Sequence, residues 1–239
     1  MNIRLLTFDL DDTLWDLRPV LLRADQLAFE WLSNHAPALG ELFSVESFRQ
    51  ARLQIASARP DLGHRVSELR LYAQTEALKQ AGYAESEAQR LSAQAFEIFM
   101  QARHDIHFFD AALDVLAELR RDYLLGAITN GNASPSRLGL DHLFAFTITS
   151  EELSHPKPHA IPFQAALQRA RCDARQAIHI GDHVDHDMRG ATAAGMFTIW
   201  INRAGEMWPG NDLPNADIQH LAQLPDAVRA IEELSEQSR

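Results

Sequence analysis

Five short apolar runs, at residues 3–8, 123–128, 144–148, 177–180 and 197–201, constrain this chain more than any other feature. Each has the length of a β-strand. Segments 110–121, 135–143, 158–171 and 186–194 carry apolar residues at three- and four-residue spacing, the period of a helix lying on a core. Strands alternating with helices predict a parallel sheet covered by helices, so the expected fold is α/β with a Rossmann-like core. Ligands of open parallel sheets bind beyond the carboxyl ends of the strands, which directs attention to the residues that follow each run.

The first two runs are too far apart for a simple crossover. Thr13 and Tyr123 are 110 positions apart, whereas a strand–helix–strand unit needs ~30 residues or somewhat more. The intervening chain reads as helices at 20–34, 45–57, 65–81 and 85–103, with breaks at 37–40, 59–63 and 81–83 and Pro19 at a helix start. The expected organisation is a core of residues 1–14 and 108–239 with a helical cap of residues 15–107, hinged near residue 15 and near 108–110. The cap is a small bundle or, alternatively, an interaction helix pair.

Lys and Arg total 22 against 33 Asp and Glu, for a net charge of −11. Such a surface opposes binding along a phosphate backbone, so no nucleic-acid partner is expected. Cys172 is the single cysteine, which excludes an internal disulfide and any thiolate metal cluster. No window has the apolar length of a membrane span, and the first residues turn acidic too soon for a signal peptide. The expectation is a cytoplasmic protein, monomeric or homodimeric, with no membrane partner.

The first run ends in Asp9-Leu10-Asp11-Asp12-Thr13. In extended chain, period two puts Asp9 and Asp11 on one side. Two carboxylates ~4 Å apart repel by about 4 kcal/mol at an effective dielectric of 20, so such a pair binds a cation or raises a pKa. The fourth run opens into Gly181-Asp182 and then Asp187. Either acid alone also suits a helix N-cap, but Gly181 allows Asp182 to lean toward Asp9 and Asp11. Carboxylates without thiols suit Mg²⁺. The histidines at 179, 183 and 186 suggest zinc, but a strand–turn–helix does not bring three imidazoles together. Thr129-Asn130-Gly131 ends the second run with a hydroxyl and free N–H groups fit for a phosphate oxygen, or with an ordinary turn. Lys157 stands between Pro156 and Pro158, which stiffen its backbone. Asp9, Asp11, Asp182 and Asp187 against Lys157 leave an excess of three negative charges, which suits a site that takes a divalent cation before a phosphate dianion.

This series, Asp9-x-Asp11-x-Thr13, then Thr129, Lys157 and Gly181-Asp182 with Asp187, resembles the four motifs of the haloacid dehalogenase-like hydrolases. Gly190-Ala191 and Ala194-Gly195-Met196 match the helix after the last motif, and the insert matches the helical cap of that superfamily. The resemblance implies an Mg²⁺-dependent phosphatase acting on a small-molecule phosphate ester. Asp9 would attack phosphorus to give an aspartyl-phosphate, with Asp11 as proton donor and then acceptor. Mg²⁺ would be held by the Asp9 carboxylate, the Asp11 carbonyl and Asp182. Thr129, Asn130 and Lys157 would bind the phosphoryl group, and Asp187 and Thr13 would support them. His183, Asp185 and His186 depart from the small and amide residues of this motif.

Dehalogenases of the superfamily lack a second acid at the place of Asp11. Segments 8–20 and 127–133 are similar to bacterial phosphatases acting on flavin mononucleotide and on the phosphorylated ribitylaminouracil of riboflavin synthesis. Trp15, Arg18, His64 and Arg65 would then meet the substrate's ring or ribityl portion, or else be helix caps and solvated surface. Two alternatives share the aspartyl-phosphate: a sugar phosphomutase, and a non-hydrolytic phospho-acceptor module of the receiver type. Receivers, however, lack a helical insert at this point.

Overall fold

Six parallel strands form one sheet in the order β3-β2-β1-β4-β5-β6 in a computed structural model that describes residues 2–210 and 212–237. The strands are β1 (Leu5–Phe8), β2 (Leu124–Thr129), β3 (Phe146–Thr149), β4 (Ala177–Gly181), β5 (Phe197–Ile201) and β6 (Ala216–Ile218). Leu5 is in register with Leu124 on one side and Ala177 on the other. All four residues of β1 and all five of β4 are buried, as strands covered on both faces must be. The chain runs from β1 outward through β2 to β3 and then crosses back to β4. The strand order therefore reverses beside β1, and the crevice at such a reversal is where open α/β sheets bind ligands.

The chain divides into two units, Met1–Asp16 with His107–Arg239, and Leu17–Ile106. The second is helical: α1 (Leu17–His35), α2 (Pro37–Leu42), α3 (Val45–Ala58), α4 (Val66–Gln80) and α5 (Glu85–Arg103). Helix α2 occupies a segment expected to be a break, because Pro37 in its first turn forfeits no intrahelical hydrogen bond. Leu32, Leu39, Leu78 and Leu91 pack with Ala77, Ala88 and Ala95 into one apolar cluster, and Ala24, Ala28, Phe99 and Met100 into another. Helix α3 contributes no fully buried residue. It is tied down by half-buried Phe48, which packs against Phe29 of α1 and the first cluster, and by Arg49 (3.2 Å) and Arg52 (2.9 Å), which share buried Asp25 of α1 with Arg70 of α4.

Helices α6 (Ala112–Leu119), α7 (Ser150–Leu153), α8 (Ala160–Ala170), α9 (Gly190–Ala193) and α10 (Leu224–Gln237) belong to the first unit. Phe163 and Ala166 of α8 pack with Leu5, Ile128, Ile148 and Ala177 of the sheet, and with Ala191 and Met196. The helix expected over 135–143 is instead one 3₁₀ turn, Ser136–Leu138, which Gly139 ends at φ 72°. The helix expected over 186–194 starts earlier, as a π turn at Val184–Arg189, where Asp187 and Met188 both donate to the carbonyl of His183. The ring of His183 takes the N–H groups of Asp185 and His186. Strand β6 and helix α10 lie beyond the apolar runs recognised in the sequence.

Candidate active site

Three carboxylates and one ammonium meet at the carboxyl ends of β1 and β4. The chain leaves β1 with the Asp9 N–H donating to the Ile180 carbonyl at 2.8 Å, and turns within a few residues through Asp12, whose φ is 60°. Oxygens of Asp9, Asp182 and Asp187 lie within 4.8 Å of one another. Lys157 is 3% exposed, and its Nζ stands 2.6 Å from Asp9 Oδ1 and 2.5 Å from Asp187 Oδ1. Thr13 Oγ1 donates to Asp182 Oδ1 at 3.0 Å and stands 3.5 Å from Asp9 Oδ2.

The backbone around Lys157 is held by Asn130. Its Oδ1 accepts from the Lys157 N–H (2.7 Å) and its Nδ2 donates to the Lys157 carbonyl (2.9 Å), while Ser150 Oγ donates to the Asn130 carbonyl at 3.1 Å. Asn130 thus acts on the lysine, a use of the amide that the turn sequence does not announce. Thr129 Oγ1, at the end of β2, accepts from the Gly131 N–H at 2.9 Å. Asp11, expected to share a face with Asp9, has its Oδ1 turned to the Trp15 indole N–H at 2.9 Å. Trp15 is fully buried against Phe108 in the first unit, because it pairs with both Asp11 and Phe108 in isolated bridges. Arg18 (exposed), His64 (half-buried) and Arg65, which pairs with Glu68 at 3.1 Å, belong to the second unit.

Asp187 is fixed from three directions. Its Oδ1 takes Lys157 Nζ and His179 Nε2 (3.0 Å), and its Oδ2 takes the His183 N–H (3.0 Å). A Cβ on Gly181 would sit 2.4 Å from Asp187 Cγ, so the carboxylate lies where only glycine leaves room. Gly181 continues β4, and its task is this close approach more than a sharp exit. Gly181→Ala is expected to displace Asp187 and Lys157 together and to lower thermal stability by about 1–3 kcal/mol, measured by calorimetry.

The charges do not balance. Burial works against ionisation of Asp187, but the Lys157 ammonium and His179 outweigh it and hold its carboxyl well below the usual range. Burial pushes Asp9 up despite Lys157, and Asp187 and Asp182 add to the effect. Burial and the Asp187 charge push Asp182 up to about 7. Burial alone would lower Lys157, but Asp187 and Asp9 hold it above its ordinary value. Burial pushes His179 down, toward the neutral imidazole. With Asp187 saturated by donors, Asp9 and Asp182 are left to meet a cation, and their hard oxygens suit a divalent ion such as Mg²⁺. His183 and His186 stack on each other at 3.9 Å, and neither joins the carboxylate group.

Residues 3–195 match the family model of haloacid dehalogenase-like hydrolases. The chain belongs to the haloacid dehalogenase-like hydrolases. Within this family it is 32% identical over 231 residues to the 5-amino-6-(5-phospho-D-ribitylamino)uracil phosphatase YigB of Escherichia coli, across 95% of this chain and 97% of that protein. It is 29% identical to the phosphoserine phosphatase of Thermus thermophilus, across 84% of this chain and 89% of that protein. Among solved structures, a 2-haloacid dehalogenase from Pseudomonas syringae superposes with a TM-score of 0.90 at 42% identity, across 95% of this chain and 99% of that one. The α/β parallel core is shared with that structure. Thr7, Ser150 and Trp200, whose indole N–H donates to the Asp182 carbonyl at 2.7 Å, support the site without belonging to any motif recognised in the sequence, and His179, singled out there only for zinc, supports it through Asp187. A histidine inside an otherwise apolar strand was the signal for His179, and the other three carried none.

Proposed function

We propose that this hydrolase cleaves small phosphomonoesters through an aspartyl-phosphate on Asp9, with Mg²⁺ as cofactor and a riboflavin-pathway phosphate, the ribityl phosphate or flavin mononucleotide, as substrate. The observation that carries the reading is the buried Lys157 ammonium shared between Asp9 and Asp187 beside Asp182. A carboxylate attacks a phosphate dianion only when their mutual repulsion is neutralised, and this site builds that neutralisation around Asp9. Mg²⁺, held by Asp9, Asp182 and the Asp11 carbonyl, supplies the remaining positive charge. An Asp9 oxygen bonds to phosphorus as the ester P–O bond breaks, and Asp11 gives its proton to the departing alkoxide. Asp11 then takes a proton from water as water attacks phosphorus, and the Asp9–phosphorus bond breaks to release phosphate. Thr129 and Lys157 bind the transferred group, and Asn130 serves it through Lys157. Thr13 and Asp187 hold the charged groups in place. Substrate selection falls to the inserted helical unit acting as a cap, with Arg18 a candidate contact.

Similarity to YigB over nearly the whole chain supports the substrate class. The 42% identity to a structure described as a 2-haloacid dehalogenase favours a second reading, halide release from a 2-haloacid. An alkoxide needs a proton donor to leave and a halide does not, so Asp11 favours the phosphatase. The deciding experiment measures phosphate release from flavin mononucleotide, the ribityl phosphate, phosphoserine and sugar phosphates, and halide release from a 2-haloacid, with Mg²⁺. Release of phosphate, highest in kcat/KM for a riboflavin-pathway ester, is expected. Halide release without phosphate release overturns the phosphatase reading, and isomerised sugar phosphate without free phosphate indicates a mutase.

A pH dependence follows from Asp182. Its folded pKa of about 7 lies above the unfolded carboxylate value of about 4. The folded state therefore binds the extra proton between these values, and the metal-free protein loses stability as pH rises through them. Mg²⁺ needs the ionised form, so the thermal shift it produces is expected to be larger at pH 8 than at pH 6, by roughly 1 kcal/mol in scanning calorimetry. An equal shift at both pH values would show that metal binding draws on no carboxyl that titrates between them.

A further inference from the structure

We propose that His179 and Thr7 are positioning residues of this reaction, setting the Lys157 ammonium against Asp9 by way of Asp187; the proposal rests on the phosphatase reading above. His179 is fully buried in the middle of β4, between Ile178 and Ile180. An imidazole in such a place is costly unless both ring nitrogens are satisfied. Both are. Nε2 lies 3.0 Å from Asp187 Oδ1, and Nδ1 lies 2.8 Å from Thr7 Oγ1 on the neighbouring strand β1.

The partners assign the proton. An ionised Asp187 only accepts, so Nε2 carries the hydrogen, Nδ1 is the acceptor, and the Thr7 hydroxyl donates to it in preference to the Ile178 carbonyl, which lies farther away at 3.4 Å. Phe163 packs edge-on against the ring at 5.1 Å. A directed chain results, in which Thr7 donates to His179, His179 to Asp187 Oδ1, and Lys157 to that same oxygen and to Asp9. With the His183 N–H on Oδ2, the His179 bond leaves the Asp187 carboxylate no freedom to rotate. Removing it releases that carboxylate, and the ammonium then divides itself differently between Asp187 and Asp9. Lys157 neutralises charge that develops during phosphoryl transfer, so the loss falls on kcat more than on KM. A merely structural histidine would instead change stability and leave turnover per folded molecule as it was.

The experiment compares wild type with His179→Phe, His179→Gln and Thr7→Val, using steady-state phosphate release per folded enzyme and thermal unfolding. Two-bond ¹H–¹⁵N correlation spectra of the wild-type histidines, assigned by difference from His179→Gln, report the tautomer. His179→Phe is expected to lower kcat roughly 10- to 100-fold, the usual cost of an outer partner of a charged site, with KM within about 2-fold. His179→Gln, whose amide presents an N–H near the place of Nε2, should recover most of that loss. The spectra should show a neutral His179 protonated at Nε2. Wild-type kcat in His179→Phe, an effect confined to KM, a glutamine variant as impaired as phenylalanine, or a proton on Nδ1 would each overturn the proposal. Thr7→Val, which removes the donor to Nδ1, is expected to lower kcat in the same direction by a smaller factor with KM unchanged, and a wild-type kcat there would overturn the role of Thr7; should the phenylalanine variant not fold, this variant and the spectra decide. A wild type that releases no phosphate from any ester defeats the phosphatase reading instead, while the tautomer still judges the His179–Asp187 bond.

Discussion

Asp9→Asn is expected to lower phosphate release by roughly a thousandfold or more while leaving the fold intact. The neutral amide is a far weaker nucleophile than a carboxylate, and no other carboxylate has an oxygen at the same point. Fold retention has a physical basis. Burial and the neighbouring Asp187 and Asp182 already disfavour a charge at Asp9, and Lys157 has a second partner, Asp187 at 2.5 Å, that the substitution does not remove. The metal-free Asn protein should therefore unfold at the same temperature as wild type or higher. Activity and calorimetry on one preparation check both statements. Substantial phosphate release by the variant would remove Asp9 from the role of nucleophile.

A second large effect belongs to the helical unit. Asp25, 7% exposed, accepts from Arg49, Arg52 and Arg70, and these pairs join α3 to α1 and α4 beside the apolar contact of Phe48 with Phe29. Burial opposes ionisation of Asp25, but Arg52 and Arg70 outweigh it and hold the carboxyl well below the usual range. Asp25→Ala leaves three guanidinium groups crowded around a missing anion, at a cost of about 3–5 kcal/mol. Limited proteolysis is expected to open between α3 and α4 before the parallel core is cut, and replacing Arg70 by Met in the same protein should recover part of the loss. Asp25 is depressed on folding, so its contribution is present above the ordinary carboxylate pKa and disappears only as pH falls below it. Unchanged proteolysis of the alanine variant would show that α3 is held by apolar contacts instead.

The parallel core was legible because its strands are buried on both faces and so are written as unbroken apolar runs. The acids after the first and fourth runs were legible for the complementary reason, since a carboxylate next to a buried strand has few structural uses. Shorter and edge elements were not. Strand β6 has three residues, too few for a period. The stretch over 135–143 carries a helical pattern that Gly139 interrupts after one turn, a local backbone preference overriding the pattern. The Asp25 hub was equally hidden, because its arginines are scattered along α3 and α4 and only the folded bundle brings them to one carboxylate.

Residue types and their order along the chain are enough to specify a parallel sheet, a helical insert and the acids and lysine of the candidate site, because burial and charge repulsion act on composition at each position. Which oxygen faces which donor is a matter of three-dimensional packing. Two extended residues with the same nominal facing part company when a left-handed turn at Asp12 lets the Trp15 indole take Asp11, and Asp187 joins Asp9 because Gly181 leaves it room. His179 and Thr7, 172 positions apart in sequence, meet because β1 and β4 are neighbours in the sheet. Hydrogen bonds act over about 3 Å, and a distance of that kind between remote residues is settled only when the strands have found their register.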